Sequence, residues 1–259
     1  MIEPSQCHIP FVDQASYPAR RGNLVRPLID GEPAFRRICE AVEAARHSVW
    51  VTVAFIRRDC LMPDGRGTFF DVLGRAVARG LDVRVIFWRP NPEAAYVGVD
   101  STFSGAQADR DLLERRKSRF RIRWNRAHGA FCQHQKCWLI DAGYLSETAF
   151  VGGININRRA MVSPGHVGGG GFHDAYVEIA GPSATDVHHN FAQRWNEASE
   201  RTAIDGVWAH DGEDDLDFPK HPSRIRGGSL VQIQRNVHAG LYQDSRPSPE
   251  TLPLVSLSS

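Results

Sequence analysis

A chain of 259 residues, 42% apolar and 24% charged, with a formal net charge of +1, is long enough to bury roughly 70–75% of its unfolded surface. It lacks the charge excess of a general binder of nucleic acid or anionic membrane. No apolar run of 18 residues, the length that crosses a bilayer as a helix, interrupts it. The opening MIEPSQCHIPFVDQ has no charged start followed by an apolar segment, so nothing marks export, and a cytoplasmic location is expected. Five irregularly spaced cysteines, Cys7, Cys39, Cys60, Cys132 and Cys137, read as reduced thiols rather than a disulfide framework.

After an irregular, proline-containing start, PAFRRICEAVEAARHS carries Phe35, Ile38, Val42 and Ala45 at helical spacing. VWVTVAFI (49–56) follows as a short buried strand. The pair repeats: FFDVLGRAVARG predicts a helix closed at Gly80, and DVRVIFW (82–88) a second buried strand. This alternation predicts an α/β fold. A loop with Asn91, Pro92 and Gly98 precedes a helix over about 105–117. In RDLLERRKSRFRIRWNR (110–126), Arg119, Arg121 and Arg123 alternate with Phe120, Ile122 and Trp124, which predicts a strand with one basic face. That face reads either as a solvated face on an edge strand or as a surface that gathers phosphate. TAFVGG (148–153) and DAYVEIAG are further strands, SATDVHHNFAQRWNEAS is a helix, and about six strands are expected in the sheet. SPGHVGGGGF between them, with Gly168 to Gly171, reads as a flexible connector or a mobile flap. From about residue 206 the texture becomes acidic, then strand-like in SLVQIQRNV, then Pro/Ser-rich and expected to be disordered. The expected division is a lobe over 1–205 and a linker and irregular tail over 206–259.

The chemistry concentrates in FCQHQKCWLID (131–141). Only Lys117, Lys136 and Lys220 among the 31 basic residues are lysines, so Lys136 is not generic surface charge. A shuffled chain of this composition would contain about 0.009 His-x-Lys-x-x-x-x-Asp matches. Strand alternation is expected to put Cys132, His134 and Lys136 on one face, with Cys137 and Leu139 on the other. Asp141 faces the following turn, where it serves the backbone or a nearby cation. GGININ then supplies Gly153 and Asn155 just after a buried strand, where backbone and amide can approach a ligand. Asp174, at a strand start, is suited to hold His134 in one tautomer. A zinc reading of Cys132, His134 and Cys137 is opposed by the two faces and by the want of a fourth ligand. His173 and the pair His188 and His189 read as surface or packing residues. An imidazole nucleophile beside a lysine, an asparagine and a carboxylate suits attack on a phosphodiester, without a metal or cofactor.

These residues resemble the phospholipase D superfamily, whose repeated signature is HxKxxxxD followed by GGxN or GSxN; here the two read HQKCWLID and GGIN. HDAYVEIAGPSATDVHHNFAQRWN is similar to the strand and helix that close one lobe in bacterial phospholipase D and cardiolipin synthase relatives, and the likeness spans roughly 30–200. It implies an α/β/α layered lobe with a mixed sheet. It also implies His134 as nucleophile, Lys136 and Asn155 as phosphate ligands, Asp141 as the motif aspartate and Asp174 as the residue orienting the histidine. The implied activity is hydrolysis or transfer of phospholipid headgroups, with peripheral membrane contact. A nuclease of the superfamily and a non-catalytic or partner-dependent half are the alternatives. No other histidine has lysine two positions on, whereas most members carry two signatures on two lobes that share one site. SLVQIQRNVHAGLYQ resembles the lead-in to a second lobe. An active homodimer, or one lobe of a two-lobed enzyme, is therefore expected.

Overall fold

The computed structural model describes residues 17–90, 103–125, 132–165, 171–196, 198 and 214–235. The expectations for Cys7, the Asn91 to Gly98 loop, the centre of SPGHVGGGGF, the division at residue 206 and the Pro/Ser-rich end fall outside these residues. Among them, the strands are β1 (Arg20–Ile29), β2 (Ser48–Val53), β3 (Asp82–Trp88), β4 (Arg121–Asn125), β5 (Cys137–Ile140), β6 (Thr148–Gly152), β7 (Ala175–Ala180) and β8 (Ser229–Val231). The helices are α1 (Gly31–Ala44), α2 (Phe69–Ala78), α3 (Gln107–Arg115) and α4 (Ala184–Asn196). The strands form one sheet in the order β4-β3-β2-β5-β6-β7-β1-β8. β2, β3 and β4 are parallel, and the remaining pairings are antiparallel.

The α/β/α layering follows from which strand residues each helix covers. Val49, Val51, Val83, Val85, Phe87, Trp138 and Ile140 point to one side and pack with Phe35 and Ile38 of α1 and Phe69 and Leu73 of α2; Leu112 and Leu113 of α3 pack on the same cluster. Trp50, Ile86, Cys137 and Leu139 point the other way, against Val187, Phe191 and Trp195 of α4. The period of two along each strand thus feeds two separate cores. A capping box in which Thr68 and Asp71 satisfy each other's backbone N–H starts α2, and Gly80 at φ 83° follows its end.

Eight strands replace the expected six. β1 escaped notice because Gly22 and Pro27 break its pattern. Pro27 is tolerated because β8 covers only the stretch around Arg20 and Asn23, which leaves one side of β1 without a neighbouring strand at Pro27. The second correction concerns the motif. β5 begins only at Cys137, so Cys132, His134 and Lys136 precede the strand instead of lining one of its faces. The strands flanking β5 close on each other there: Arg57 donates to the Ile156 carbonyl at 2.7 Å, and Ile156 donates to that of Phe55 at 3.2 Å. Chain before Cys137 has no room between them and leaves the sheet.

The basic strand is also neither of its two expected forms. β4 is an edge strand, but Arg123 is buried against the Trp195 ring and faces Asp215 at 3.4 Å, while Arg121 meets Asp214 at 2.7 Å. Residues 214–235, part of the expected tail, lie along α4. Asn196 and Leu216 exchange two hydrogen bonds, Trp195 donates to the Asp214 carbonyl at 2.8 Å, and Arg235 reaches Gln193 at 2.6 Å. No described helix is long and apolar enough to cross a membrane.

Asp141 holds the opposite end of the sheet together. It sits at φ 52°, and its Oδ1 accepts from the backbone N–H groups of Arg46, His47 and Ser48 at 2.7–3.2 Å, while Oδ2 accepts from Ser146 at 2.7 Å. Burial pushes its carboxyl up, but the bonds from Ser146 and the three amides outweigh that and hold it below the usual range. A carboxyl depressed in the fold adds stability above its unfolded pKa of about 4, and that stability is lost as pH falls through the lower folded value. Asp141→Ala should cost about 3 kcal/mol in urea denaturation at pH 7. Asp141→Asn should cost less, and its deficit against wild type should close in acid. Equal stability of all three proteins would show that these bonds contribute nothing.

Candidate active site

β1, β2, β3, β4 and β6 end on one side of the sheet, and β5 and β7 start there. A crevice beyond the carboxyl ends of parallel strands is where α/β sheets place ligands. His134, Lys136, Gly153, Asn155 and Asp174 all lie at this end. Asp141 does not, because β5 separates it from His134 and its carboxylate is taken up by backbone.

His134 is exposed and touches Phe55 edge-on, with ring centroids 5.4 Å apart. Partial desolvation of the ring, then the neighbouring Lys136 charge, lower its pKa below the ordinary histidine value; Asp174 pulls the other way. The imidazole is thereby neutral near pH 7, the form that can attack. Lys136 is only 5% exposed. Its ammonium donates to the His134 carbonyl at 3.1 Å, and burial brings its pKa down to about 8, against the opposing pull of Cys132 and Asp174. Asp174 lies within electrostatic reach of both bases. Its Oδ1 accepts from the Ala175 N–H at 2.7 Å, and its carboxylate rests on Gly153, where a Cβ would stand 2.4 Å from Oδ1. Glycine at 153 is therefore a requirement of close approach. The loop continues to Asn155, whose side-chain oxygen is buried with no partner among the described residues. Asn157, the other asparagine of GGININ, instead caps the short turn that follows.

What fixes the irregular 132–136 segment was not anticipated from the sequence. Gln135, between the histidine and the lysine, is turned to α4, where its Oε1 accepts from Asn190 Nδ2 and Arg194 Nη1, each at 3.0 Å. Asn190 and Arg194 are four residues apart on one helical stripe, and that spacing was the available signal. Arg194 is 1% exposed, and no ion pair to it occurs among the described residues. Cys137, the third member of the zinc reading, is turned away and held by Thr52 at 3.1 Å. His188 and His189 lie in packing positions, bonded to Glu147 and Tyr17 at 2.9 and 3.0 Å. His173 meets Asp30 at 2.7 Å.

Comparison with known proteins adds the following. Residues 38–195 match the family described as cardiolipin synthase, PLD-like domain. The chain is 29% identical over 178 residues to cardiolipin synthase A of Pseudomonas entomophila, covering 69% of this chain and 34% of that protein. It is 23% identical over 231 residues to phospholipase D B of Dictyostelium discoideum, covering 71% of this chain and 18% of that one. It thus spans at most about a third of the length of these curated relatives. Among solved structures, phosphatidylserine synthase of Haemophilus influenzae aligns over 66% of this chain and 39% of that chain, with a TM-score of 0.43 and 14% identity.

The buried ammonium has a consequence for stability. A lysine whose pKa is lowered in the fold is a penalty at neutral pH, because the unfolded chain holds the proton more tightly; stability rises with pH between about 8 and the ordinary lysine value. Lys136→Met should therefore raise stability at pH 7 by roughly 1–3 kcal/mol. The gain, read from urea midpoints, should fade above about pH 10. A loss of stability at pH 7 would contradict this account of the site.

Proposed function

The chain belongs to the phospholipase D-like family, and from that premise we propose that it is a phosphodiesterase or phosphatidyltransferase acting on phospholipid headgroups, with His134 as nucleophile. One observation carries the reading: a neutral imidazole and a buried ammonium meet at the carboxyl end of the sheet, with one carboxylate within electrostatic reach. In the proposed reaction a His134 ring nitrogen attacks phosphorus and the bond to the leaving alcohol breaks. Lys136 and Asn155 take up charge on the non-bridging oxygens, and Asp174 stabilises the charged ring. Water or a second alcohol then attacks the phosphohistidine, releasing the imidazole and completing hydrolysis or headgroup exchange. Asp141 contributes by setting the far end of β5.

Lipid is preferred to nucleic acid as substrate. The overall charge is near zero, and the arginines of β4 are engaged by Trp195, Asp214 and Asp215 instead of being free for a phosphate backbone. The leaving alkoxide needs a proton donor on the side opposite the nucleophile, and one imidazole cannot occupy both places. We propose that a second signature histidine, from a second copy of this chain, supplies it across a two-fold axis. Contact with a bilayer would then be peripheral, at this end of the sheet.

Brief incubation with labelled phosphatidylglycerol and a denaturing quench at alkaline pH should leave label on the protein that later acid treatment releases, absent in His134→Ala. Metal-dependent turnover surviving that substitution would refute the mechanism. The kcat/KM profile should be bell-shaped. Its acid limb should lie below the ordinary histidine pKa, because the attacking His134 must be neutral; on the alkaline side activity should fall as the donor histidine loses its proton, and again near pH 8 as Lys136 loses its own. Lys136→Arg should remove the loss near pH 8 while lowering the plateau on the order of 100-fold. Adding excess His134→Ala chains should poison wild type by subunit exchange; indifference despite proven exchange would rule out the shared site.

A further inference from the structure

A second group of polar atoms lies one ring away from His134. The Trp88 indole N–H and both ends of the Asn125 side-chain amide are buried and have no hydrogen-bond partner among the described residues. Asn125 is 0% and Trp88 1% exposed. The two residues are direct partners in the parallel β3–β4 ladder, at its carboxyl end, so both side chains leave the same face of the sheet. Phe55 meets the Trp88 ring edge-on at 5.1 Å and the His134 ring at 5.4 Å. The pair therefore lies one aromatic ring from the proposed nucleophile, at the same end of the sheet.

A buried amide with neither end bonded destabilises the fold, and a leucine in its place would not. Further back along the same two strands the polar side chains are engaged: Arg84 pairs with Asp82 and Asp214, and Arg123 rests on Trp195. Within these two strands the unpartnered atoms belong to the last rung, at the carboxyl end. Their chemistry selects a complement, since an indole N–H only donates, whereas an amide both donates and accepts. A hydroxyl accepts from one and donates to the other, and two adjacent hydroxyls satisfy all three atoms. A trimethylammonium group satisfies none.

We propose that Trp88 and Asn125 form the subsite that recognises hydroxyl groups on the alcohol leaving or entering at phosphorus, and so select polyol headgroups over quaternary amines. The proposal rests on the phosphodiesterase reading given above. It assigns the alcohol's contacts to β3 and β4, separate from the phosphate's contacts at β5 and β6.

Binding is tested apart from turnover. In the full chain, the Trp88 indole ¹H–¹⁵N resonance, assigned by its loss in Trp88→Phe, should shift on titration with glycerol and stay fixed with choline. Asn125→Leu should abolish the shift while leaving the thermal midpoint equal or higher. In turnover, Asn125→Leu and Trp88→Phe should each lower kcat/KM for glycerophosphoglycerol about tenfold or more, with bis(p-nitrophenyl) phosphate and p-nitrophenyl phosphocholine, which carry no hydroxyl, unchanged. An indole resonance indifferent to glycerol, an Asn125→Leu protein of lower midpoint, or equal losses on all three diesters would overturn the subsite. Failure to cleave any diester would instead refute the phosphodiesterase reading, with the indole titration still deciding whether the hydroxyl site exists.

Discussion

The closure of the chain after β2 onto the chain after β6 is the constraint on which the rest of this end of the molecule depends. β5 lies between those two strands, and once Ile56 and Ile156 meet beyond its start, the preceding residues must leave the sheet. A segment expelled in this way gives up ladder hydrogen bonds ahead of the one from the Gly152 N–H to the Lys136 carbonyl at 3.3 Å, and would be free to wander. Gln135 supplies the replacement by anchoring to Asn190 and Arg194 on α4. With its central side chain fixed to one layer, the backbone presents His134 to the crevice while the Lys136 ammonium curls back onto the His134 carbonyl. The site is thus built on irregular chain, but irregular chain held by α4 and by its own lysine.

The same region concentrates the features that fold stability alone would remove. Lys136 is charged and nearly buried, Arg194 is buried on a neutral partner, and the amides of Asn125 and Asn155 have unfilled bonding capacity. At the Asp141 end of the sheet the buried carboxylates are provided for. Glu147 accepts from His188, Ser223 and the Gly143 N–H. Burial pushes its carboxyl up, yet these partners hold it below the usual range. One end of the sheet is finished, with donors and acceptors matched, and the other is left open to bonds that a substrate would complete. That contrast is what the proposed binding face requires.

Much of this was legible in the sequence wherever side-chain periodicity alone determines structure. The strand DVRVIFW coincides with β3, and the helices around Phe35, Phe69 and Val187 lie where apolar spacing put them. Periodicity failed where backbone partners decide the outcome. β1 looked irregular because of Pro27, and β5 looked longer than it is because nothing in QHQK announces that its neighbours meet. In the site, the types and order of His134, Lys136, Asn155 and Asp174 were readable from their chemistry. The anchoring of Gln135 was not, since it requires a residue between two functional positions to find a helix more than fifty residues away. Arg121 and Arg123 of β4 carried a charge pattern, but Asp214 and Asp215, which engage them, lie some ninety residues further on.

Residues 214–235 meet both borders of the sheet. At one, Asp214 and Asp215 fasten to Arg121 and Arg123 of β4; at the other, β8 lies beside β1. Edge strands expose unpaired backbone that invites other chains to add on, and natural proteins blunt them with charge, with short terminal strands or with covering chain. Here one length of polypeptide applies these devices to both margins, crossing α4 on the way. Resistance to sheet-to-sheet association is therefore a single property of the molecule, gained or lost at both rims together with this one length of chain.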